Sequence, residues 1–107
     1  MDNLELVSFQ IISAVGVAKS SYIEAMKIAE KGDFDLAKAK IKEGDQEFVK
    51  GHESTCRFDT KRSKWWKKLY QNILLMHAED QLMSAETIKM MALEIIKLNQ
   101  RLYLLEK

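Results

Sequence analysis

Residues 74–91 read LLMHAEDQLMSAETIKMM, and this stretch decides the fold. Steps of three and four residues through it give a row at the spacing of a helix that packs along a seam. That row consists of Leu74, His77, Gln81, Ser84, Ile88, Met91, Ile95, Leu98, Leu102 and Leu105. A neighbouring row at the same spacing consists of Ile73, Met76, Asp80, Met83, Thr87 and Met90. The pattern predicts one long helix with apolar residues on more than one side.

Two polar residues interrupt these rows at positions where leucine would pack better. His77 and Asp80 are three residues apart, so they share a helical face. Such breaks in the local rules are expected at functional sites. His77 and Asp80 are therefore the candidate functional residues.

The composition is that of one helical domain. The chain has 107 residues, four glycines and no proline. Its length predicts a single domain over residues 1–107, and the scarcity of turn-forming residues argues against an all-β fold. Cys56 is the only cysteine, which excludes an internal disulfide and a cysteine-rich zinc site.

Charge and hydropathy narrow the range of partners. The seventeen basic and sixteen acidic side chains nearly cancel, so the net charge favours neither nucleic acid nor an anionic membrane. The amino terminus carries acids where a signal peptide carries bases. We expect no apolar run that approaches the roughly 18 residues of a membrane span. The chain is predicted to be cytoplasmic, without membrane insertion.

The apolar periodicity predicts helices over residues of about 4–31, 34–57 and 65–105. Between the first two, Gly32 is expected to end a helix in the left-handed conformation and Asp33 to cap the next one. So short a turn places neighbouring helices antiparallel. The predicted fold is an all-α, antiparallel up-down-up three-helix bundle.

Two further predictions concern packing. The second apolar side of the third helix exceeds what one bundle can cover, which indicates self-association. Gly16 lies in the middle of the first helix, where glycine is unfavourable. We expect it to lie where another helix passes close to its backbone.

The chemistry that remains after elimination centres on a histidine. The sequence has no glycine-rich phosphate loop and no paired-histidine zinc helix, and His52 and His77 are its only histidines. A neutral imidazole, with an ordinary pKa of about 6.5, can accept a phosphoryl group without a cofactor. The alternative is a hydrogen-bonded core histidine that only fixes helix register. The residues alone leave both interpretations open.

The run from His77 to Met83, HAEDQLM, resembles a known signature. It is similar to the HAQDHLM motif of the enzyme IIA subunits of the lactose/cellobiose (N,N'-diacetylchitobiose) branch of the bacterial phosphoenolpyruvate-dependent sugar phosphotransferase system. The segment from Ile11 to Phe34 resembles the family's opening, which begins IIS and ends GDF. Residues 41–52 and 92–98 are similar to its second and closing helices.

The resemblance implies a phosphotransferase component that works only with partner proteins. His77 would accept a phosphoryl group from the histidine-containing phosphocarrier protein. It would pass the group to a cysteine of a IIB subunit or domain, which phosphorylates a transported disaccharide of the lactose, cellobiose or chitobiose class.

The resemblance also implies a homotrimer with Asp80 at its three-fold axis, where three copies bind a divalent cation, expected to be Mg²⁺. Three carboxylates that meet in an apolar seam repel one another unless a cation or protons neutralise them. Asp80 is thus assigned to assembly and metal binding, and the simple alternative for it is a surface acid.

Three features depart from the family pattern. Glu79 stands where glutamine is common, and it would repel a phosphoryl group that it touched. Gln81 replaces the second histidine of the signature. Residues 56–68 do not resemble the corresponding region of the family, which allows a different partner surface.

Other residues have alternative roles. His52 matches a histidine that is frequent in the family's second helix, and we expect it to pack or to hydrogen-bond rather than to accept phosphate. A basic tract around Trp65 and Trp66 could bind nucleic acid by charge and stacking. We favour the interpretation that the lysines solvate the start of the third helix and that one tryptophan covers the end of the bundle. This interpretation involves no nucleic-acid partner. The tract consists of Lys61, Arg62, Lys64, Lys67 and Lys68.

The alternative function comes from another class of protein. The chain would be a non-catalytic oligomeric helical module that has lost phosphotransfer through Glu79 and the altered region 56–68. Gain of an acid-labile phosphoryl group on His77 separates the two hypotheses.

Overall fold

The computed structural model describes residues 3–56 and 65–106, and the side chains of 6–53 and 73–106. These residues form α-helices and no strand, and the helices are α1 (Asn3–Glu30), α2 (Phe34–Cys56) and α3 (Trp65–Glu106). Each observed helix end lies within one residue of the predicted bound. The connection from α2 to α3 lies outside the described residues.

The turn between α1 and α2 has the predicted chemistry. Gly32 has a φ of 89°, a left-handed conformation that glycine adopts without strain. Its backbone N–H donates to the carbonyl of Ala29 (3.0 Å). The Asp33 carboxylate accepts a hydrogen bond from the backbone N–H of Leu36 (3.1 Å). Both predicted caps are confirmed.

The three helices pack along a narrow rod of 64 × 17 × 16 Å. Pairs of contacting residues show which parts of α1 and α2 lie side by side. Lys40 of α2 forms an ion pair with Glu24 of α1, whereas Gly51, further along α2, lies against Val15, which is earlier in α1. At one end of the rod, the rings of Phe34 and Tyr103 pack edge to face with centroids 5.9 Å apart.

Helix α1 buries one side against the other two helices. Its buried apolar residues are Ile11, Val15, Ala18, Tyr22, Ala25 and Ala29. The segment Leu6–Glu30 is nevertheless long and apolar enough to cross a membrane by length and composition. The expectation that no apolar run approaches a span was therefore wrong, because Lys19 is the only charged residue between Val7 and Ile23. Core helices of soluble proteins pass the same test.

Helix α3 buries a different row from the predicted seam. The buried residues are Ala78, Leu82, Ala85, Ala92 and Ile96, each one position after a member of the predicted row. Leu74, Gln81 and Ile88 are only partly buried, and His77 and Met91 are exposed. The prediction was wrong by one residue because three of the five buried residues are alanines, which let helices approach closely but do not stand out in a pattern of large apolar residues.

Two of the three glycines within the helices have contrasting surroundings. A Cβ on Gly44 would lie 2.5 Å from a carbon of the Tyr22 ring, so this glycine makes room for a buried aromatic side chain. A Cβ on Gly16 would meet nothing within 4 Å. The predicted close helix at Gly16 is therefore wrong within the described part of the chain.

Candidate functional site

His77 lies on the solvent-exposed surface of α3. Its neighbour Ala78 is fully buried and belongs to the core cluster with Ile11, Val15, Leu82 and Ala85. The packing of Ala78 fixes the rotation of α3 and so directs the preceding residue, His77, outward. The alternative of a core histidine is wrong for this chain, and the imidazole is open to a second molecule.

One helical turn after His77, Gln81 binds a lysine from α1. The Lys19 ammonium donates a hydrogen bond to the Gln81 side-chain oxygen at 2.7 Å, and this contact is partly buried. Residues four apart on a helix lie on the same face, with Cβ atoms roughly 5–6 Å apart. The structure therefore brings a cation from α1 to the same face of α3 as the imidazole.

The open space at Gly16 lies beside the same site. Gly16 is one helical turn before Lys19 on α1, and His77 is one turn before Gln81 on α3. Lys19 contacts Gln81, and Val15 shares a core cluster with Ala78. Gly16 is therefore level with His77, and a side chain at Gly16 would extend into open space.

Asp80 lies on the exposed side of α3 with a row of large apolar residues. Met76 and Met83 flank it at 68% and 65% exposed. The row continues to Ile73 and Met90, which are also exposed. The surplus apolar face that the sequence predicted is present, and we refer to Ile73, Met76, Asp80, Met83 and Met90 as the methionine face.

The described side chains contain no cluster of three or more histidine, cysteine, aspartate or glutamate residues that could hold a metal ion. Asp80 thus supplies one carboxylate per chain. A cation site of the kind that the resemblance implies needs the same residue from other copies.

Glu79 is exposed on another side of the helix from His77. Positions two apart on an α-helix are rotated by about 200° about its axis, which is about 160° in the other direction. The side chains of His77 and Glu79 therefore point to nearly opposite sides. Within one chain, the Glu79 carboxylate does not share a face with the imidazole. Repulsion between Glu79 and a phosphoryl group on His77 of the same chain is therefore not expected.

Two cavities lined by residues in the described part of the chain lie away from His77. A groove of about 580 Å³ between α1 and α2 is lined by residues that include Phe9, Ser13 and Glu47. A cavity of about 430 Å³ includes Tyr22 and Lys89. His77 lines neither of them. Sites for small substrates are usually concave pockets, whereas an exposed histidine on a helix suits transfer between proteins.

His52 is exposed on α2 and belongs to neither core cluster. The side chains of the basic tract at 61–68, including Trp65 and Trp66, lie outside the described residues, as does that of Cys56. Sequence reasoning missed Lys19, although it stands out as the only basic residue in α1 before Lys27.

The comparison with protein families shows which class of protein carries this site. The family model for the lactose/cellobiose-specific IIA subunit of the phosphotransferase system matches residues 6–100. A chain with this match is a component of a sugar phosphotransferase system. It belongs to the lactose/cellobiose-specific IIA family, as the resemblance of its motifs predicted.

Individual relatives agree with this assignment. The chain is 34% identical to the lichenan-specific phosphotransferase enzyme IIA component of Bacillus subtilis (strain 168), over 94% of this chain and 91% of the relative. It is 31% identical to the cellobiose-specific EIIA component of Lactococcus lactis subsp. lactis (strain IL1403), over 90% and 82%. It is 27% identical to the lactose-specific EIIA component of Staphylococcus aureus (strain N315), over 94% and 96%. No solved structure matches the chain significantly.

Proposed function

We propose that the chain relays a phosphoryl group on His77 during sugar uptake. The donor is the histidine-containing phosphocarrier protein, and the acceptor is a cysteine of a IIB subunit or domain. The observation that carries the proposal is the exposed imidazole, which stands at the first position of a motif resembling the family signature. A visiting protein can reach it without any opening of the bundle.

The chemistry needs no group beyond the partners. A ring nitrogen of His77 attacks the phosphorus of the donor phosphohistidine, the donor P–N bond breaks, and its bonding electrons return to the donor imidazole. In the second step a cysteine thiolate attacks the phosphorus and the P–N bond to His77 breaks. The imidazole is then restored, and the thiophosphate of the IIB cysteine carries the group onward.

The sugar and the location are parts of the same proposal. Relatives are named for lichenan, cellobiose and lactose, which supports a disaccharide of the lactose, cellobiose or chitobiose class. The proposed exchange of phosphoryl groups with these partners supports a location in the cytoplasm. The buried side of α1 supports packing within the bundle over membrane insertion.

The test is a reconstituted transfer. Purified protein with phosphoenolpyruvate, enzyme I and the phosphocarrier protein should gain about 80 Da in an acid-labile form. His77→Ala should abolish the gain while the chain keeps its helical circular dichroism. The matched control is His52→Ala, which should still be phosphorylated. Absence of any gain in the wild type would instead support a non-catalytic helical module.

The proposal includes assembly as a homotrimer of antiparallel bundles through the methionine face. Large apolar side chains exposed along one helix support self-association. Asp80 lies within this face, so assembly about an axis there would bring three carboxylates together. Oxygen ligands of this kind suit Mg²⁺, and a bound cation would supply charge neutralisation for the assembly. The residues of one chain fit that role only in combination with copies of Asp80.

Replacement of Asp80 by leucine tests the assembly. Apolar replacement of a buried charge is often neutral or stabilising, so Asp80→Leu should preserve or strengthen the trimer in sedimentation. The wild-type trimer should weaken when EDTA removes divalent cations, and the variant should not respond. A monomeric Asp80→Leu protein would contradict the proposed position of this residue.

A further inference from the structure

We propose that Lys19 binds the phosphoryl group carried by His77 of the same chain, with Gln81 as the residue that positions its ammonium group. This inference rests on the proposed function. It concerns two residues outside the pair, His77 and Asp80, that the sequence pattern marks as functional.

The contact between α1 and α3 provides the geometry. The Lys19 ammonium lies 2.7 Å from the side-chain oxygen of Gln81, and Gln81 follows His77 by one helical turn on the same face. A neutral amide oxygen holds the ammonium in place without neutralising its charge. The lysine can therefore exchange this acceptor for a phosphoryl oxygen a short distance away.

The negative charges around a phosphorylated His77 need a nearby cation, and the Lys19 ammonium can supply it. A phosphorylated side chain carries about −1.5 to −2 charges at neutral pH. Asp80 shares a helical face with His77 and repels such a group. Residues 69–88 of α3 contain no lysine or arginine, and α1 contains only Lys19 before Lys27. Lys19 is thus the basic residue that these two helix segments supply to the site.

The open surface at Gly16 provides the space. Gly16 is level with His77, and a Cβ there would meet nothing within 4 Å. A phosphoryl group on the imidazole can occupy this side of α1 next to the ammonium. During transfer the N–P bond forms as the donor P–N bond breaks, and Lys19 remains protonated while it contacts the phosphoryl oxygens.

The experiment compares two phosphoryl donors. Phosphoramidate is a small donor that needs no docking surface, because the His77 nitrogen attacks its phosphorus and ammonia leaves with a proton. The phosphocarrier protein, charged by enzyme I and phosphoenolpyruvate, is the second donor. Rates of mass gain are measured with both donors for the wild type, Lys19→Met, Lys19→Arg and the matched control Lys27→Met, an exposed lysine two turns further along α1.

We expect Lys19→Met to slow phosphorylation by about a hundredfold with both donors, at the lower end of the effect of removing one preorganised donor to the reacting group. Lys19→Arg should recover most of the rate and Lys27→Met should match the wild type. Equal rates for Lys19→Met and wild type would overturn the inference alone. A defect confined to the protein donor would also overturn it, since Lys19 would then contact the partner. A wild type that neither donor phosphorylates would overturn the proposed function as well.

A second variant covers the case in which Lys19→Met does not fold. Gln81→Glu keeps a hydrogen-bond acceptor for Lys19 and adds a neutralising charge, so the contact between the helices is preserved. This variant should melt at or above the wild-type temperature yet accept the phosphoryl group more slowly. An unchanged rate with phosphoramidate would contradict the role of the Lys19 charge.

Discussion

Helix α3 buries a side that is rich in alanine and exposes a row of large apolar residues on the other side. The inner side carries Ala78, Ala85 and Ala92, each fully buried. The outer side carries the methionine face, whose apolar members are each more than half exposed. These alanines let the backbones approach closely within one bundle, and the bulky apolar groups of the methionine face remain available for contacts with other molecules.

The candidate functional residues follow the same division. Asp80 belongs to the outer side, and His77 lies at the border between the outer side and α1, next to Gln81. The inner side supplies rigidity and fixes the rotation of the helix. Substitutions on the inner side should consequently affect folding stability, and those on the outer side should affect assembly.

The largest difference in stability is expected when a glutamate is introduced on the inner side of α3 in one variant and on the outer side in another. Ala85→Glu buries an unpaired carboxylate and should cost about 3–5 kcal/mol of folding free energy. Met83→Glu places the charge at an exposed position and should leave the chain helical while it lowers the oligomer mass in sedimentation. Urea unfolding monitored by circular dichroism measures the first effect. Equal loss of helix in the two variants would refute the division of α3 into two sides.

Gly44 and Gly16 give a smaller contrast, in which the two substitutions have effects of opposite sign on stability. Gly44→Ala forces a Cβ to within 2.5 Å of the buried Tyr22 ring, and we expect a loss of about 1–3 kcal/mol. Gly16→Ala meets no atom within 4 Å, and we expect a gain of about 1 kcal/mol from helix propensity. Denaturant midpoints at one protein concentration compare the variants. A destabilised Gly16→Ala protein would mean that something packs on that surface.

The smallest effect concerns a polar link between all three helices. The Tyr22 hydroxyl donates to the Asp45 carboxylate at 2.8 Å, and the same oxygen accepts an ion pair from Lys89 at 2.9 Å. Tyr22→Phe should therefore cost about 1 kcal/mol at pH 8 through loss of the hydrogen bond. The urea midpoint measures this cost.

The same variant has a defined pH dependence. Burial, and then the hydrogen bond to Asp45, raise the pKa of Tyr22 above its ordinary value of 10.0. Above pH 10 the unfolded tyrosine loses its proton while the folded one keeps it, so this contribution to stability falls as pH rises. The difference between the wild type and Tyr22→Phe should shrink from pH 8 to pH 11. A difference that grows would contradict the raised pKa.

Local signals account for the parts of the fold that the sequence predicted well. The turn at Gly32 and Asp33 depends on a left-handed glycine and a capping carboxylate, and both are readable from adjacent residues. The methionine face was visible as a row with helical spacing. The buried side of α3 was misplaced by one residue because it depends on which helix surfaces approach most closely.

The candidate site was predictable only in part for the same reason. His77 and Asp80 stand out along α3 because each breaks an apolar row. Lys19 and Gln81 are 62 residues apart, and their contact depends on the packing of α1 against α3, which periodicity does not encode. Gly16 was assigned to helix contact because the sequence does not show whether its surface is covered.

The central claim is that a phosphoryl group is carried on the border of the outer side of α3, at His77. The most direct measurement is the location of that group in protein phosphorylated by the phosphocarrier protein, by peptide mapping at alkaline pH, where phosphohistidine persists. We predict that the peptide containing His77 carries the whole gain of about 80 Da and the peptide containing His52 carries none. A phosphoryl group on His52, or at any residue other than His77, would contradict the account.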